Sequence, residues 1–296
     1  MYEEFCEQIS AWAIESMLSE LSATPKPGLV DRNNSGAHRD MDFFTFIQSA
    51  SALHLSFYKM TQLGKASSRR PIERLLPLLR ALGREAEAKM YSATKGVNTH
   101  KGAIFSLGLA CATAGWLYDQ EILSYETICD NIRILCVDLC KDDFQNLSNK
   151  KKLTKGERMY MTYGFKGARG EAESGYQTVC KIALPVFSQM ISTGYSRNDA
   201  IVQTLLHLIA HTLDTNILSR HDLSVAQYAQ QYASKVIALG GVETPAGRAA
   251  LLKMDQDFID RYISPGGCAD LLAVTGLFHR IQENDTLSTL ENRKLG

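Results

Sequence analysis

Apolar residues recur along this chain at steps of three and four, and this spacing constrains the fold more than any other feature. Phe43, Ile47, Ala50, Leu53 and Phe57 are one such series, and residues at these steps share one face of a helix. We find no sustained alternation of β-branched residues, the pattern typical of a strand. Helical patterns of the same kind occupy residues 5–21, 75–82, 103–116, 123–141, 171–192, 198–220, 224–239, 245–263 and 268–283. We therefore predict an all-α fold.

Loops rich in glycine, proline and charged residues separate the predicted helices. They comprise residues 24–42, 96–102, 164–175 and 264–270. No linker-like change in composition divides the chain, and no internal repeat is visible. We predict a single multi-helix globular domain over residues 1–296, with functional glycine- and proline-containing loops gathered at one end.

The balance of charge argues against a protein that binds nucleic acid over a broad basic face. Lys plus Arg number 32 and Asp plus Glu number 32, so the formal net charge is zero, whereas binding to phosphates usually needs a basic excess. No window holds the roughly 18 apolar residues of a membrane span. The acidic N-terminal residues do not resemble a secretory signal, and the seven cysteines include no CxxC pair. We expect a cytoplasmic protein with no nucleic-acid or membrane partner.

The loop of residues 24–42 combines rigid backbone with charged side chains. Two prolines and a glycine at its start favour an extended, turning backbone. Cations can take phosphate oxygens and carboxylates can hold Mg²⁺, so this loop suits a metal-bound polyphosphate. Alternatively, the charged residues form surface ion pairs; in either case we expect Asp42 to cap the next helix. The candidates are Lys26, Arg32 and His38 for phosphate, and Asp31 and Asp40 for metal.

The loop of residues 96–102 immediately precedes a predicted helix. Asn98 or Thr99 is suited to the N-cap, which would place His100 and Lys101 in the first turn. Free amides and the helix dipole favour anions there, and Lys101 adds a positive charge. His100 can act as an acid or a base, donate to phosphate, or have a structural role.

The loop of residues 164–175 contains four glycines, which allow the backbone to approach a ligand closely. Arg169 is a candidate phosphate ligand, and Gly170 a candidate for close approach. We expect Glu171 and Glu173 to open the next helix, where acidic residues are favoured by the dipole in any case. The spacing does not match a dinucleotide-binding pattern.

Two later segments complete the polar candidates. His207, His211 and Asp214 stand at i, i+4 and i+7 of a predicted helix. Zinc could use this spacing, but leucines surround the histidines and we disfavour it. Asp214 with Asn216 is the stronger polar signal, and Pro265–Leu272 is either an anion cradle or an ordinary helix start. Together the loops indicate a nucleotide or polyphosphate substrate.

Five of these segments resemble, in chain order, the motifs of the triphosphoribosyl-dephospho-CoA synthase family. They read TPKPGLVDR with GAH in residues 24–38, GVNTHKG in 96–102, GARGEA in 167–172, DTN in 214–216 and PGGCADLL in 265–272. The resemblance implies that ATP gives up adenine while its triphosphoribosyl group passes to the 2′-hydroxyl of 3′-dephospho-CoA. It also implies that a companion transferase moves the product to the acyl carrier subunit of citrate lyase, or in a related branch serves malonate decarboxylase.

A displacement at the ribose C1′ needs a base for the hydroxyl, a hydrogen bond to the departing adenine and a clamp on the triphosphate. For the base we predict Asp214 before His100. Two other functions stay open: a Mg²⁺-dependent helical glycohydrolase and a nucleotide-binding protein without catalysis. The remaining candidates are Lys26, Arg32, His38, Asn98, Lys101, Arg169, Gly170, Asn216, Gly266 and Gly267 for phosphate or substrate, and Asp31, Asp40 and Glu171 for Mg²⁺.

Overall fold

The computed structural model describes residues 2–119, 123–145, 147–150 and 153–295. Within these ranges the chain forms fourteen α-helices and no strand, which confirms the all-α prediction. A short π-helical segment, Val179–Ala183, leads into α9. The helices are α1 (Tyr2–Ser22), α2 (Phe43–Ala66), α3 (Leu75–Ala93), α4 (Lys101–Trp116), α5 (Tyr125–Leu135), α6 (Leu139–Phe144), α7 (Lys155–Tyr163), α8 (Gly167–Ser174), α9 (Leu184–Ser192), α10 (Arg197–His211), α11 (Thr215–Arg220), α12 (Leu223–Ala238), α13 (Pro245–Asp260) and α14 (Gly266–Leu295).

Helix α4 forms the centre of the fold. Almost every residue from Ala103 to Gly115 is buried, because α1, α2, α3, α5 and α14 pack around it. Small residues on both helices let α2 approach α4 closely. A Cβ on Gly115 would lie 2.0 Å from the Thr61 carbonyl oxygen, and one on Gly64 would lie 1.9 Å from the Ala112 carbonyl oxygen. The Ala- and Gly-rich sequence of α4 therefore sets the distance between the two helices.

Helix α14 joins this group to a second group of helices. It contacts α1 and α4 on one side and α10 on the other. In the second group, α10 packs against α9 and α12, and α12 packs against α13. Val274, Leu277 and Phe278 of α14 have no solvent exposure, so one apolar cluster runs through both groups.

Three predicted helices are interrupted in the structure. The segment 198–220 ends as α10 at His211, and Asp214 caps α11, so Asp214 does not share a helical face with His207. The segment 123–141 divides around Asp138, whose φ of 57° is left-handed, and the segment 171–192 divides at Gly175. Apolar periodicity gives the buried face of a segment but not such local breaks, which depend on turn and cap geometry.

The cap predicted for α2 is confirmed. The Asp42 side chain accepts a hydrogen bond from the Thr45 amide at 2.8 Å, and the Asp42 amide donates to the Thr45 hydroxyl. This reciprocal pair fixes where α2 begins. Within the ranges given above, no helix combines the length and the apolar character that a membrane crossing requires.

Candidate active site

A cleft of about 110 Å³ opens where α1 ends and where α4 and α14 begin. Part of the loop that joins α1 to α2 closes another side. The first turns of α4 and α14 carry amides without helical partners and the positive end of the helix dipole, so the cleft suits an anionic ligand. Its lining consists of Met17, Glu20, Leu29, Val30, His38, Met41, Phe46, residues 98–103, Asn216, Arg220, Ser264, Gly266, Ala269, Asp270 and Ala273.

Asp270 places a carboxyl group against the start of α4. It accepts a hydrogen bond from the Ala103 amide, while burial and the nearby charges of Asp214 and Glu20 hold the pKa of Asp270 well above its ordinary value. A Cβ on Gly102 would lie 1.8 Å from Asp270 Oδ2, so this approach requires glycine. A carboxylate with a raised pKa is a stronger base than ordinary aspartate, and such groups are frequent at catalytic sites.

His100 presents a neutral imidazole to the cleft. Its Nδ1 lies 2.7 Å from Ser49 Oγ, and Thr99 Oγ1 donates to the same oxygen at 2.7 Å. In the tautomer in which Nδ1 accepts the Ser49 proton, the imidazole proton lies on Nε2, an atom that is buried and has no partner within the described chain. Burial, and next the charge of Lys26, lower the pKa of His100 to about 3. The ring is therefore a hydrogen-bond donor at neutral pH.

Lys26 lies beneath the cleft and reaches it only through Glu20. The Lys26 ammonium group donates to Glu20 Oε1, and both side chains are buried. Burial raises the pKa of Glu20, and the charge of Lys26 opposes that rise. Glu20 lines the cleft. The structure thus places the predicted phosphate ligand Lys26 in a buried ion pair that supports the cleft wall.

Asp31, a predicted magnesium ligand, organises the loop between α1 and α2. Its Oδ1 accepts hydrogen bonds from the amides of Asn33 at 2.7 Å and Asn34 at 3.0 Å. Its Oδ2 accepts from the Lys26 amide at 3.2 Å. Both oxygens of this buried carboxylate therefore accept hydrogen bonds from amides of the loop. These bonds hold the loop backbone in place, as the two prolines led us to expect.

Asp214, the predicted base, ties the starts of α11 and α14 together. Oδ1 accepts from the amides of Asn216 at 2.7 Å and Ile217 at 3.2 Å, and Oδ2 accepts from the Cys268 amide at 2.8 Å. Burial raises the pKa of Asp214, and these amides oppose the rise. A Cβ on Gly267 would lie 3.0 Å from this carboxylate. Asp214 lies below the cleft and holds Asn216 at its surface.

His38 and Arg220 stand at the mouth of the cleft. His38 Nε2 lies 2.9 Å from Ser264 Oγ, and its Nδ1 lies 3.5 Å from the Arg220 guanidinium and 3.7 Å from the Asp40 carboxylate. Arg220 is exposed and lines the cleft. The mouth therefore carries a fixed positive charge beside a carboxylate that is 66% exposed.

Lys101 begins α4 at the same mouth. The Asn98 side chain accepts from the Lys101 amide at 3.3 Å, while the Lys101 ammonium group lies 2.7 Å from Glu87 Oε2 and is half exposed. His100 occupies the N-cap position, where Asn98 or Thr99 was expected, and its side chain makes no capping bond. Asn98 thus caps the helix from two residues before the N-cap position.

The loop of residues 164–175 contributes nothing to the cleft lining. Arg169 pairs with Asp143, Nε to Oδ2 at 2.6 Å. Gly170 packs against the Lys166 side chain. Glu171 is largely buried behind α14, where Oε1 accepts from the Thr178 hydroxyl at 2.6 Å. The helix here begins at Gly167, so Glu171 does not open it as expected.

Glu20, Asp270 and Arg220 line the cleft but were not among the candidates predicted from the sequence, whereas the candidate Arg32 does not line it. Arg32 is exposed and faces a different groove. Glu20 carries no signal, because it lies within an ordinary helical pattern. Asp270 belongs to the segment PGGCADLL and Arg220 follows Asp214 by one and a half turns, so both were visible in the sequence but not assigned.

No three His, Cys, Asp or Glu side chains in the described ranges are arranged to hold a metal ion. His207 and His211, the zinc alternative, belong to α10, where His211 Nδ1 lies 2.8 Å from the His207 carbonyl oxygen. Mg²⁺ that binds with a nucleotide needs only one or two protein carboxylates, because the phosphates and waters supply the rest. Asp40 at the mouth and Asp270 inside fit that requirement. Both oxygens of Asp31 accept hydrogen bonds from amides of the loop, and Glu171, whose Oε2 is buried without a partner in the described chain, lies outside the cleft lining.

Residues 6–289 match the model of a family described as ATP:dephospho-CoA triphosphoribosyl transferase. The chain belongs to this family. A 2-(5''-triphosphoribosyl)-3'-dephosphocoenzyme-A synthase from Pectobacterium atrosepticum is 44% identical over 265 residues, which cover 89% of this chain and 86% of the relative. A synthase of the same name from Escherichia fergusonii is 42% identical over 274 residues, which cover 92% of this chain and 90% of the relative. The family expected from the motifs is confirmed.

Membership of the family makes the chain a transferase, and neither the glycohydrolase nor the non-catalytic alternative is supported. A solved structure from Archaeoglobus fulgidus, assigned provisionally as a triphosphoribosyl-dephospho-CoA synthase, aligns with 78% of this chain and 96% of its own. Its TM-score is 0.43 and its sequence identity is 17%. The family description names ATP and dephospho-CoA as the substrates.

Proposed function

We propose that this transferase moves the 5-triphosphoribosyl group of ATP to the 2′-hydroxyl of 3′-dephospho-CoA, which yields 2′-(5″-triphosphoribosyl)-3′-dephospho-CoA and adenine. The observation that carries the proposal is the presence, in one cleft between helix N-termini, of the Asp270 carboxyl group and the unpartnered Nε2 donor of His100. One group can take a proton and the other can donate a hydrogen bond, as a displacement at C1′ requires.

Asp270 is the base in this proposal, in place of Asp214. The 2′-oxygen of the acceptor bonds to C1′ as the bond between C1′ and N9 of ATP breaks, and the hydroxyl proton passes to Asp270. The electron pair of the broken bond leaves with adenine, which receives a hydrogen bond from His100 Nε2 and its proton from water. A negative carboxylate beside C1′ also stabilises the positive charge that develops there. Asp214 could act as the base only by giving up its hydrogen bonds to the amides at the starts of α11 and α14.

The triphosphate binds at the mouth of the cleft in this proposal. The start of α14 supplies amides near Gly266, while Arg220, His38 and Lys101 supply cationic or donor groups. Lys101 would exchange Glu87 for a phosphate oxygen. Mg²⁺ bound with ATP would screen the charge of the triphosphate, and the exposed carboxylate of Asp40 would hold it.

Adenine release tests the proposal. Purified protein with ATP and Mg²⁺ is expected to release adenine only when 3′-dephospho-CoA is present, and not with CoA that keeps its 3′-phosphate. Asp270→Asn is expected to lower kcat roughly 100-fold while the KM for ATP changes less than about threefold. Asp260→Asn, an exposed residue of α13, is the matched control and should keep full activity. Release of adenine without an acceptor would reject the transfer, and an active Asp270→Asn variant would reject the base.

We also propose that the product passes, in the cytoplasm, to a companion transferase that loads the acyl carrier subunit of citrate lyase. The sequence motifs, which resemble those of the citrate lyase branch of the family, support this step. The measurement is the mass of the apo-carrier after incubation with the companion enzyme and the product of this protein. A gain equal to the prosthetic group is expected, and an unchanged mass would point to malonate decarboxylase or another carrier.

A further inference from the structure

A second and larger depression lies between α1 and the start of α10. Its volume is about 610 Å³, and we call it the α1–α10 groove. Ile14, Leu18 and Ile201 supply an apolar floor, and Ser19 and Ser22 supply hydroxyl groups along it. An apolar surface with a few polar groups is the usual composition of a ligand site.

One edge of the groove has an excess of positive charge. Arg32 is exposed, and its guanidinium lies 3.4 Å from the Asn198 amide oxygen, with no carboxylate of the described chain at ion-pair distance. Arg197 pairs with the Glu15 carboxylate at 2.9 Å. Arg280, outside the lining, pairs with Glu15 at 3.1 Å and with Glu283 at 3.2 Å. Since the lining holds two arginines against one carboxylate, and Arg32 is the arginine without an ion pair, this edge attracts an anion.

The groove adjoins the cleft along the loop that follows α1. Val30 lines the cleft and Arg32 lines the groove, so their Cα atoms are no more than about 7 Å apart. On α1 itself, Glu20 faces the cleft while Ser19 and Ser22 face the groove. A ligand that leaves the cleft beside Val30 therefore meets Arg32 first and the apolar floor next.

The cleft alone is too small for both substrates. Its volume of about 110 Å³ is below the roughly 300–1,000 Å³ of ordinary ligand pockets, whereas the groove falls within that range. The acceptor consists of an adenosine, a diphosphate and a pantetheine arm, in that order. Its reacting hydroxyl is on the adenosine, so only the diphosphate and the arm can extend outside the cleft.

We propose that the α1–α10 groove binds the pantetheine arm of the acceptor and that Arg32 binds its diphosphate. The order of groups along the acceptor then matches the order of cleft, arginine and apolar floor along the surface. The dimethyl group of the arm packs on Ile14 and Leu18, and its amides hydrogen bond to Ser19 and Ser22. This assignment rests on the proposed function, and it gives Arg32 the acceptor rather than the triphosphate of ATP.

The test compares two groove variants with two matched controls. Arg32→Gln removes the guanidinium, and Leu18→Glu puts a negative charge on the floor. Arg74→Gln and Leu78→Glu make the same changes at exposed positions near the start of α3, outside both the cleft and the groove. The KM values for 3′-dephospho-CoA and for ATP are measured for each, and circular dichroism confirms that each is folded.

We expect both groove variants to raise the KM for 3′-dephospho-CoA at least tenfold while the KM for ATP changes less than twofold, and both controls to change neither. Calorimetric titration with 4′-phosphopantetheine provides a readout that does not depend on turnover: the wild type should bind it and Arg32→Gln should bind it at least tenfold more weakly. An unchanged acceptor KM, a raised ATP KM, or no binding of 4′-phosphopantetheine to an active wild type would overturn the groove assignment. A wild type that releases no adenine but binds 4′-phosphopantetheine would overturn the proposed function and leave the groove in place.

Discussion

Gly102→Ala is the most direct test of the role that the structure gives to Asp270. A Cβ at this position would lie 1.8 Å from Asp270 Oδ2 and 2.7 Å from its Cγ. Gly102 is helical, in the first turn of α4, so its backbone accepts alanine and the conflict is confined to the carboxyl group. The substitution therefore displaces Asp270 without changing its chemistry.

The expected magnitude follows from the size of that displacement. Non-bonded contacts are normally about 3.5 Å or more, so the carboxyl group must move by roughly 1.7 Å. Misplacement of a reacting group by about 1 Å can cost 100-fold in rate, which is about 2.7 kcal/mol in the barrier. We expect kcat for adenine release to fall at least 100-fold, measured by chromatography at saturating ATP and 3′-dephospho-CoA.

Gly83→Ala is the matched control. Gly83 is in the middle of α3, and a Cβ there would meet no atom within 4 Å. We expect full activity and a gain of about 0.5–1 kcal/mol in unfolding free energy, because alanine favours the helix. If Gly102→Ala keeps kcat within threefold of the wild type and gains the same stability, then Asp270 is not the positioned base.

Three further predictions concern the groups below and beside the cleft. Lys26→Met should lower the unfolding free energy in urea titrations by about 3–5 kcal/mol, because Glu20 stays buried without its cation. Loss of an exposed ion pair would lower the unfolding free energy by less than about 1 kcal/mol. Asp214→Asn should lower it by about 1–3 kcal/mol in the same assay, since an amide nitrogen then faces the Cys268 amide; unchanged stability with lost turnover would restore Asp214 as the base. The lowered pKa of His100, about 3, means that its contribution to stability is present above the unfolded pKa of about 6.5 and is lost as the pH falls. Wild-type protein should therefore lose roughly 3 kcal/mol more than His100→Gln between pH 7.5 and 4.5, and equal losses would show that the ring is not buried neutral.

Helix content was predictable because it depends on periodicity along the chain. The series Phe43 to Phe57 lies within α2, and the Asp42 cap forms as expected. The breaks near Asp138 and Asp214 were not predicted, because a buried face can continue across a change of direction. Helix α7 was also missed, since most of its residues stay partly or fully exposed and form no continuous apolar face.

The candidate site was predictable in its segments but not in its individual contacts. The loops at 24–42 and 96–102 and the segments around Asn216 and Gly266 do meet at one cleft. The loop at 164–175 has the same kind of composition, yet Arg169 pairs with Asp143 instead. Residue type shows what a side chain can bind, whereas packing decides which partner is within reach.

The helical class, the family and the segments that carry the chemistry can be read along the chain, because they depend on spacing and residue identity. Which carboxylate is available to a substrate depends on the folded packing. Asp31 and Asp214 bind backbone amides of their own loops, while Asp270 lines the cleft where Gly102 leaves room for it. Burial and hydrogen bonding set the reach and the pKa of a carboxylate, and burial depends on residues distant in the chain, as does the amide of Ala103 that holds Asp270.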